Sequence, residues 1–441
     1  MVQSATLKRS GMSDEEIEFL VDLINPHNEN YKEKTKEQLL NRLTDYYSLV
    51  ESRTDLNDEL FIPIKNREDY QHFMEIHRAL SLATRFDQHF KNFEDFLKKD
   101  TKNLGITLSD TCDKFQNKSR RCSHCVAGKG NNKFMDLDKL KNLDKKFFDL
   151  FKHAAFGRTG EPMLYKFQST NQNGNLFDFS DAVEFIVNKT DIPEVSFFLG
   201  VFNKNNPNYK TQTKKLTNLK KLKKGNNKHF VTGLTYHPFA PDKELFEESF
   251  KYEFNSCFEF SDEINIDLLT SEVLDDNAID NLTNSFGEFE KDILKNYELV
   301  EKNNQKYIKK NKNNRLVEYV VKNINTRVFD LGYFHTTLKD RGLLEKYQTM
   351  MGPKSYPPIC VSTLKHNFIV IEPDGGVKTC VSFDGVNKPT KFNLFDDKFD
   401  GKEGYDGMVS WLEHRFNNQR EEIIQNLPKL IQRNYSMCDC K

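Results

Sequence analysis

No apolar run in this chain approaches the roughly 20 residues that a membrane-spanning helix needs, and no apolar segment of the signal-peptide kind stands near Met1. A membrane partner is therefore not expected, and a soluble cytoplasmic location is. An excess of either charge is also missing: 65 Lys and Arg stand against 66 Asp and Glu, for a net charge of −1. Nothing global draws such a chain to nucleic acid or to an anionic membrane, so any binding of that kind has to be local. Cysteine is sparse, eight in 441 residues, and thiols stay reduced in the cytoplasm. An even count permits disulfides, but Cys122-Ser-His-Cys125 and Cys438-Asp-Cys440 are tight clusters with acids and histidine nearby, which suits metals better.

Hydrophobic periodicity divides the chain into three parts. Residues 1–100 read as a helical extension. Asp14-Glu15-Glu16 opens a helix carrying Ile17, Leu20, Val21 and Ile24 and ending near Pro26, a second runs from Lys34 to Ser52, and a third from Tyr70 to Lys99. This part is expected to cap the next one, the alternative being a substrate-recognition module. Residues 101–335 alternate strands and helices, as in a sheet with right-handed crossovers. Strands are expected at Gly105–Leu108, Ala154–Phe156, Val195–Phe202, His229–Tyr236, Ile264–Leu269 and Leu316–Phe329, and helices at Leu137–His153, Phe179–Val187 and Ile279–Tyr297, with Lys302–Asn314 a polar connection. Lys210–Lys228 is strongly basic, with Leu216, Leu219 and Leu222 at helical spacing, and reads as an outer helix with a solvated lysine face. A phosphate-tracking patch is the alternative, although few aromatics are interleaved for stacking on bases. Residues 336–441 form a small α+β unit.

The chemistry-bearing residues lie at two places. After the first strand comes Cys112, then nine residues, then Cys122-Ser-His-Cys125, and after thirty-four more Gly160-Glu161-Pro162. Three thiolates can hold three irons of a 4Fe–4S cluster and leave the fourth iron open to a chelating ligand. Cys-x2-Cys is equally half of a zinc site, which would make the chain a zinc-stabilised binding module and leave Gly-Glu-Pro without a role. The second place is Phe368–Cys380, two β-rich runs around Pro373-Asp374-Gly375-Gly376, a strong hairpin signal. Fourteen residues separate Cys360 from Gly375 and four separate Gly375 from Cys380, and Cys438 and Cys440 come after a helix at Val409–Gln432. These are four thiols, the number an enclosed 4Fe–4S cluster needs. Cys257 is left over and is expected to be a buried structural thiol.

Together these residues resemble the radical S-adenosylmethionine (SAM) enzymes, whose Cys-x3-Cys-x2-Cys follows the first strand of a partial (β/α)6 barrel. In the family an aromatic residue precedes the last cysteine, where His124 stands here, and Gly160-Glu161-Pro162 matches the end of a Gly-Gly-Glu-Pro that binds the SAM amino group. The hairpin with Cys360 and Cys380, Asn393-Leu394 and Trp411 is similar to the start of the family's SPASM and twitch extensions, and four thiols fit the twitch form. The resemblance implies a SAM-binding 4Fe–4S cluster on Cys112, Cys122 and Cys125, an auxiliary cluster on Cys360, Cys380, Cys438 and Cys440, and SAM contacts from Asn203 and Thr235. It implies reductive cleavage of SAM to a 5′-deoxyadenosyl radical that abstracts a substrate hydrogen, with a flavodoxin- or ferredoxin-type electron donor. A peptide or protein substrate is expected first, with a carbohydrate-like small molecule or RNA as alternatives. Three departures stand out: the nine-residue first gap in place of three, so that six extra residues within Asp113–Arg121 bulge, Thr159 in place of the first glycine, and a single residue between Cys438 and Cys440. Residues 1–100 lie outside the resemblance.

Overall fold

A computed structural model describes residues 92–99, 102–111, 132–157, 160–169, 174–199, 207–222, 228–236, 243–269, 276–303, 305–310, 315–324, 368–378, 393–395, 405–414 and 416–418, with single helical positions between 15 and 44. Helix α1 (Phe93–Lys99) leads into β1 (Lys102–Ile106), followed by α2 (Leu137–Lys141), α3 (Lys145–Asp149) and β2 (Phe151–Phe156). A 3-10 turn (Pro162–Leu164), β3 (Lys166–Gln168) and β4 (Leu176–Asp178) precede α4 (Phe179–Lys189) and β5 (Glu194–Leu199). Then come α5 (Pro207–Leu222), β6 (His229–Tyr236), α6 (Lys243–Phe258), β7 (Glu263–Leu269) and α7 (Asp276–Ile293). The last elements are β8 (Tyr297–Lys302), β9 (Gln305–Lys310), β10 (Val317–Ile324), β11 (Phe368–Ile371) and β12 (Val377–Lys378).

Among the described residues ten strands make one sheet in the order β12-β11-β1-β2-β5-β6-β7-β10-β9-β8. Its centre, β1-β2-β5-β6-β7-β10, is parallel throughout and runs in chain order. The protein is thus an α/β protein with a mostly parallel sheet, in which each strand is laid beside the previous one after a crossover. β11 adds in parallel to the free edge of β1, pairing Asn103 with Phe368 and Ile106 with Ile371, so residues 368–378 belong to the same sheet as residues 102–106.

One face of the sheet carries the core. Phe197 on β5 meets Phe156, Phe179, Phe230 and Phe260, and Tyr236 at the end of β6 sits among Phe246 and Phe250 of α6 and Phe286 and Phe289 of α7. Alternate residues point the other way. There Asn103, His153 and Ser196 join hands across β1, β2 and β5: His153 Nδ1 lies 3.2 Å from Asn103 Oδ1 and Nε2 2.6 Å from Ser196 Oγ. Since Asn103 Oδ1 only accepts, Nδ1 carries a proton, and Nε2 shares its hydrogen bond with the serine hydroxyl.

Several boundaries differ from the sequence expectation, for local reasons. The helix expected over Leu137–His153 is two short helices and a strand, because Asp144 takes the amide hydrogen of Lys146 and starts a new helix, and Phe151–Phe156 then pairs with β1. The polar connection expected at Lys302–Asn314 contains strand β9, which pairs with β8 across a turn at Asn303, φ +54°. Asparagine tolerates that left-handed backbone, and the pair's exposed faces hide the alternation. Helix α6 was not expected; its Phe246, Phe250, Phe254 and Phe258 recur every fourth residue. The basic helix ends at Leu222 rather than at Lys228. Strand β6 matches the expected His229–Tyr236.

Of the helical extension, α1 is described as an element. Phe93 and Phe96 pack on Phe416, and the fully buried Lys102 donates from Nζ to the carbonyls of Phe96 and Leu97, capping the helix with a cation. Of the C-terminal helix expected at Val409–Gln432, residues 409–414 and 416–418 are helical; residues 405–408, ahead of it, are helical too, and Met408 and Leu412 are buried.

Candidate functional site

Parallel strands bring their C-terminal ends to one edge, where ligands of open α/β sheets bind. The segment carrying Cys112 leaves that edge after β1, Gly160-Glu161-Pro162 leaves it after β2, and Thr235 lies at the end of β6. The stems on either side of residues 112–131 are tied together. Met135 donates to the Leu108 carbonyl at 2.8 Å, Asp110 to the Lys133 carbonyl at 3.3 Å, and the Lys133 amide to Asp110 Oδ1 at 2.7 Å. Thr111 Oγ1 reaches Asn132 Oδ1 at 3.3 Å, so the base of the cysteine segment is a short antiparallel clamp.

The Gly-Glu-Pro turn is built onto that clamp. Glu161 donates its amide hydrogen to the Thr111 carbonyl at 2.8 Å, one residue before Cys112. Gly160 has φ +69°, and a Cβ there would stand 2.1 Å from the Ser109 carbonyl oxygen and 2.9 Å from that of Thr111. Glycine is required on both counts. Gly157, φ +87°, is confined in the same way, its Cβ position 2.2 Å from the Phe198 carbonyl oxygen. The Glu161 carboxylate is buried, 5% exposed, and caps the following 3-10 turn by accepting from the Met163 amide at 3.3 Å. Below the turn, Tyr165 donates to the Met135 carbonyl at 2.8 Å, and burial pushes its phenol well above the usual range.

Thr235 is half-buried, opposite Asp267 of β7 and on the face away from Tyr236. It shares the strand-end edge with the Gly-Glu-Pro turn. The seven expected ligands Cys112, Cys122, Cys125, Cys360, Cys380, Cys438 and Cys440 lie outside the described residues, as do His124 and Asn203. Among the described residues no group of three or more His, Cys, Asp or Glu is placed to hold a metal ion, and no helix is long and apolar enough to cross a membrane. Cys257 is fully buried on α6, its thiol pushed up by burial and then by the charge of Glu253. That is the environment of an inert structural thiol.

The hairpin turn of β11 and β12 reaches the same clamp. Thr107 donates to the Ile371 carbonyl at 3.0 Å, and Lys133 pairs with Asp374 at 3.1 Å. Burial works to raise the Asp374 carboxyl, but the Gly376 amide and Lys133 outweigh it and hold it below the ordinary value. Asn393 Nδ2 donates to the Asp374 carbonyl at 2.9 Å, so the Asn393-Leu394 singled out in the sequence closes on the hairpin.

On α5 two of the five lysines, Lys215 and Lys220, are spent on ion pairs within the protein, and Lys210, Lys214 and Lys221 are exposed. Lys215 pairs with Asp178 and Asp181, Lys220 with Asp262, and Lys228, beyond the helix, donates to the carbonyls of Thr190 and Ile192. Tyr209, Gln212, Leu216 and Leu219 form the buried stripe. Sequence reasoning missed Gln212, although a polar residue in an apolar stripe was the signal. It missed the Asn103, His153 and Ser196 row as well, which nothing short of the strand register reveals.

No protein-family model matches the chain, and no curated protein matches it.

Proposed function

We propose that this chain is a radical SAM enzyme with a partial (β/α)6 barrel and a twitch-like C-terminal extension. One observation carries the reading: the Glu161 amide is bonded to the carbonyl of Thr111, so the backbone of Gly-Glu-Pro, which bears a buried carboxylate, is fastened to the stem that leads directly into Cys112. Separately, the six central parallel strands follow one another in chain order, as a partial barrel requires.

The residues fit the proposed groups by their chemistry. Cys112, Cys122 and Cys125 supply three thiolates for an open 4Fe–4S cluster, and Cys360, Cys380, Cys438 and Cys440 supply four for an auxiliary one. A buried carboxylate is a strong partner for an ammonium group. Bound cluster and SAM together supply a one-electron route to hydrogen abstraction, chemistry that belongs to the cofactors. The chain's part is to bind and orient. Gly160 lets the backbone turn tightly over Ser109, Glu161 would take the SAM ammonium, and Thr235, at the end of β6 two strands from β2, would offer a hydroxyl to the ribose. The substrate class we propose is a peptide or protein, on the likeness of the Cys360–Cys380 hairpin to twitch extensions. Two of the five α5 lysines, Lys215 and Lys220, are already paired with carboxylates, which leaves a weaker tract for RNA phosphates.

Anaerobic reconstitution tests the reading. The wild type should carry about eight irons per chain, and the triple variant Cys112→Ala, Cys122→Ala, Cys125→Ala about half of them. Reduced wild type should release 5′-deoxyadenosine and methionine from SAM. Tightly held zinc with no acid-labile sulfide would overturn it.

A further inference from the structure

Gln212 stands on α5, far in sequence from the candidate site, yet is 1% exposed and spends its amide on the Gly-Glu-Pro turn. Its Nε2 donates to the Met163 carbonyl at 3.0 Å. That acceptor fixes which end of the amide faces Met163, and leaves Oε1 buried without a hydrogen-bond partner among the described residues. A buried polar atom without a partner costs about 1–3 kcal/mol, and a methionine or leucine would fill the same stripe between Tyr209 and Leu216 without that cost. Packing alone therefore does not account for glutamine here.

Its partner does. Met163 is held at both of its backbone polar groups, the amide hydrogen by Glu161 Oε1 and the carbonyl by Gln212. The amide fixes the Glu161 carboxylate in one orientation, and the carbonyl fixes the amide's peptide against a rigid helix. We propose that Gln212 is a positioning residue: through Met163 it holds the Glu161 carboxylate in place for the cationic group that Glu161 binds. The inference rests on the reading of Glu161 as the partner of the SAM ammonium.

The test is a double-mutant cycle on anaerobically reconstituted full-length protein, with SAM affinity measured by calorimetry beside iron content. Gln212→Met should weaken SAM about tenfold, the worth of one buried hydrogen bond, with iron content unchanged. Glu161→Gln should weaken it at least as much. Because Gln212 acts through Glu161, the double variant should bind no more weakly than Glu161→Gln alone. Additive losses, or wild-type affinity in Gln212→Met, would overturn the inference while leaving the radical SAM reading intact. A wild type that neither assembles clusters nor binds SAM would overturn that reading instead. Hydrogen exchange then decides the clamp itself: the Met163 amide of the ligand-free protein should lose about tenfold in protection in Gln212→Met. Unchanged protection there overturns the clamp whatever the protein binds. Should the methionine variant not fold, Gln212→Leu serves for the same measurements.

Discussion

At the scale of single residues, the turn at Gly160 is the most sharply constrained position near the candidate site. Gly160→Ala forces a Cβ onto the Ser109 carbonyl at an unfavourable φ, so it should destabilise the protein by about 2 kcal/mol or more in urea titrations. An unchanged urea midpoint would contradict that crowding. His229 supplies a pH test. Its hydrogen bond to Glu263 raises the imidazole most, burial opposes this, and Asp262 and then Glu194 of β5 add to the rise. With a folded value above the unfolded one near 6.5, the stabilisation is fully present below about pH 6.5 and disappears as pH climbs through the raised value. Screening at a half-exposed side chain keeps it below about 1 kcal/mol. The stability difference between wild type and His229→Gln should therefore fade towards alkaline pH, and a gap that widens there would refute the assignment. Gly160, Glu161 and Pro162 were legible as a motif because a spacing identifies them. Thr111 and Gln212 were not, since their roles arise from backbone groups distant in sequence.

At the scale of elements, α5 shows how composition misleads when geometry is unknown. A run of lysines reads as one charged face, but Lys215 and Lys220 belong to ion pairs that fasten the helix to Asp178, Asp181 and Asp262, whereas Lys214 and Lys221 are exposed. Lys214→Glu with Lys221→Glu should leave thermal stability within about 0.5 kcal/mol of wild type. Lys220→Glu should cost more, about 1–3 kcal/mol, because it sets a carboxylate against Asp262 and takes a donor from the Lys228 carbonyl. Equal effects from the two substitutions would mean that the Lys220 pair contributes nothing. The division of the expected Leu137–His153 helix has a similar origin. Leu140, Phe147 and Phe151 satisfy a helical period, yet Asp144 caps a restart and the edge of β2 is claimed by β1 and β5. Cap and sheet pairing together outweigh the propensity of a continuous helix.

At the scale of the whole molecule, the sheet joins residues 102–106 to residues 368–371, segments far apart in the chain. β11 completes the edge of β1, and the Thr107 amide, at the root of the cysteine-bearing segment, has its acceptor in Ile371. Truncation before Phe368 should therefore do more than remove the C-terminal cysteines. It should speed hydrogen exchange at Thr107 and along β1, whereas truncation before Cys438 should leave those amides protected. Equal exchange in both truncations would show that β11 does not support the first strand. On the proposed radical SAM reading, loss of Cys438 and Cys440 should lower the iron content by about half yet keep slow SAM cleavage.

The amino-acid order alone determined the α/β alternation, most strand positions, the Pro-Asp-Gly-Gly hairpin and the motif residues, because all of these depend on period, turn chemistry and spacing within a few dozen residues. The tertiary structure decided the rest. That Glu161 stands on Thr111, that Gln212 reaches Met163, that the C-terminal hairpin lies beside the first strand and that Lys215 and Lys220 of the basic helix pair with Asp178, Asp181 and Asp262 are pairings between distant segments. Their partners are selected by which strands lie side by side, and local periodicity carries no record of that choice.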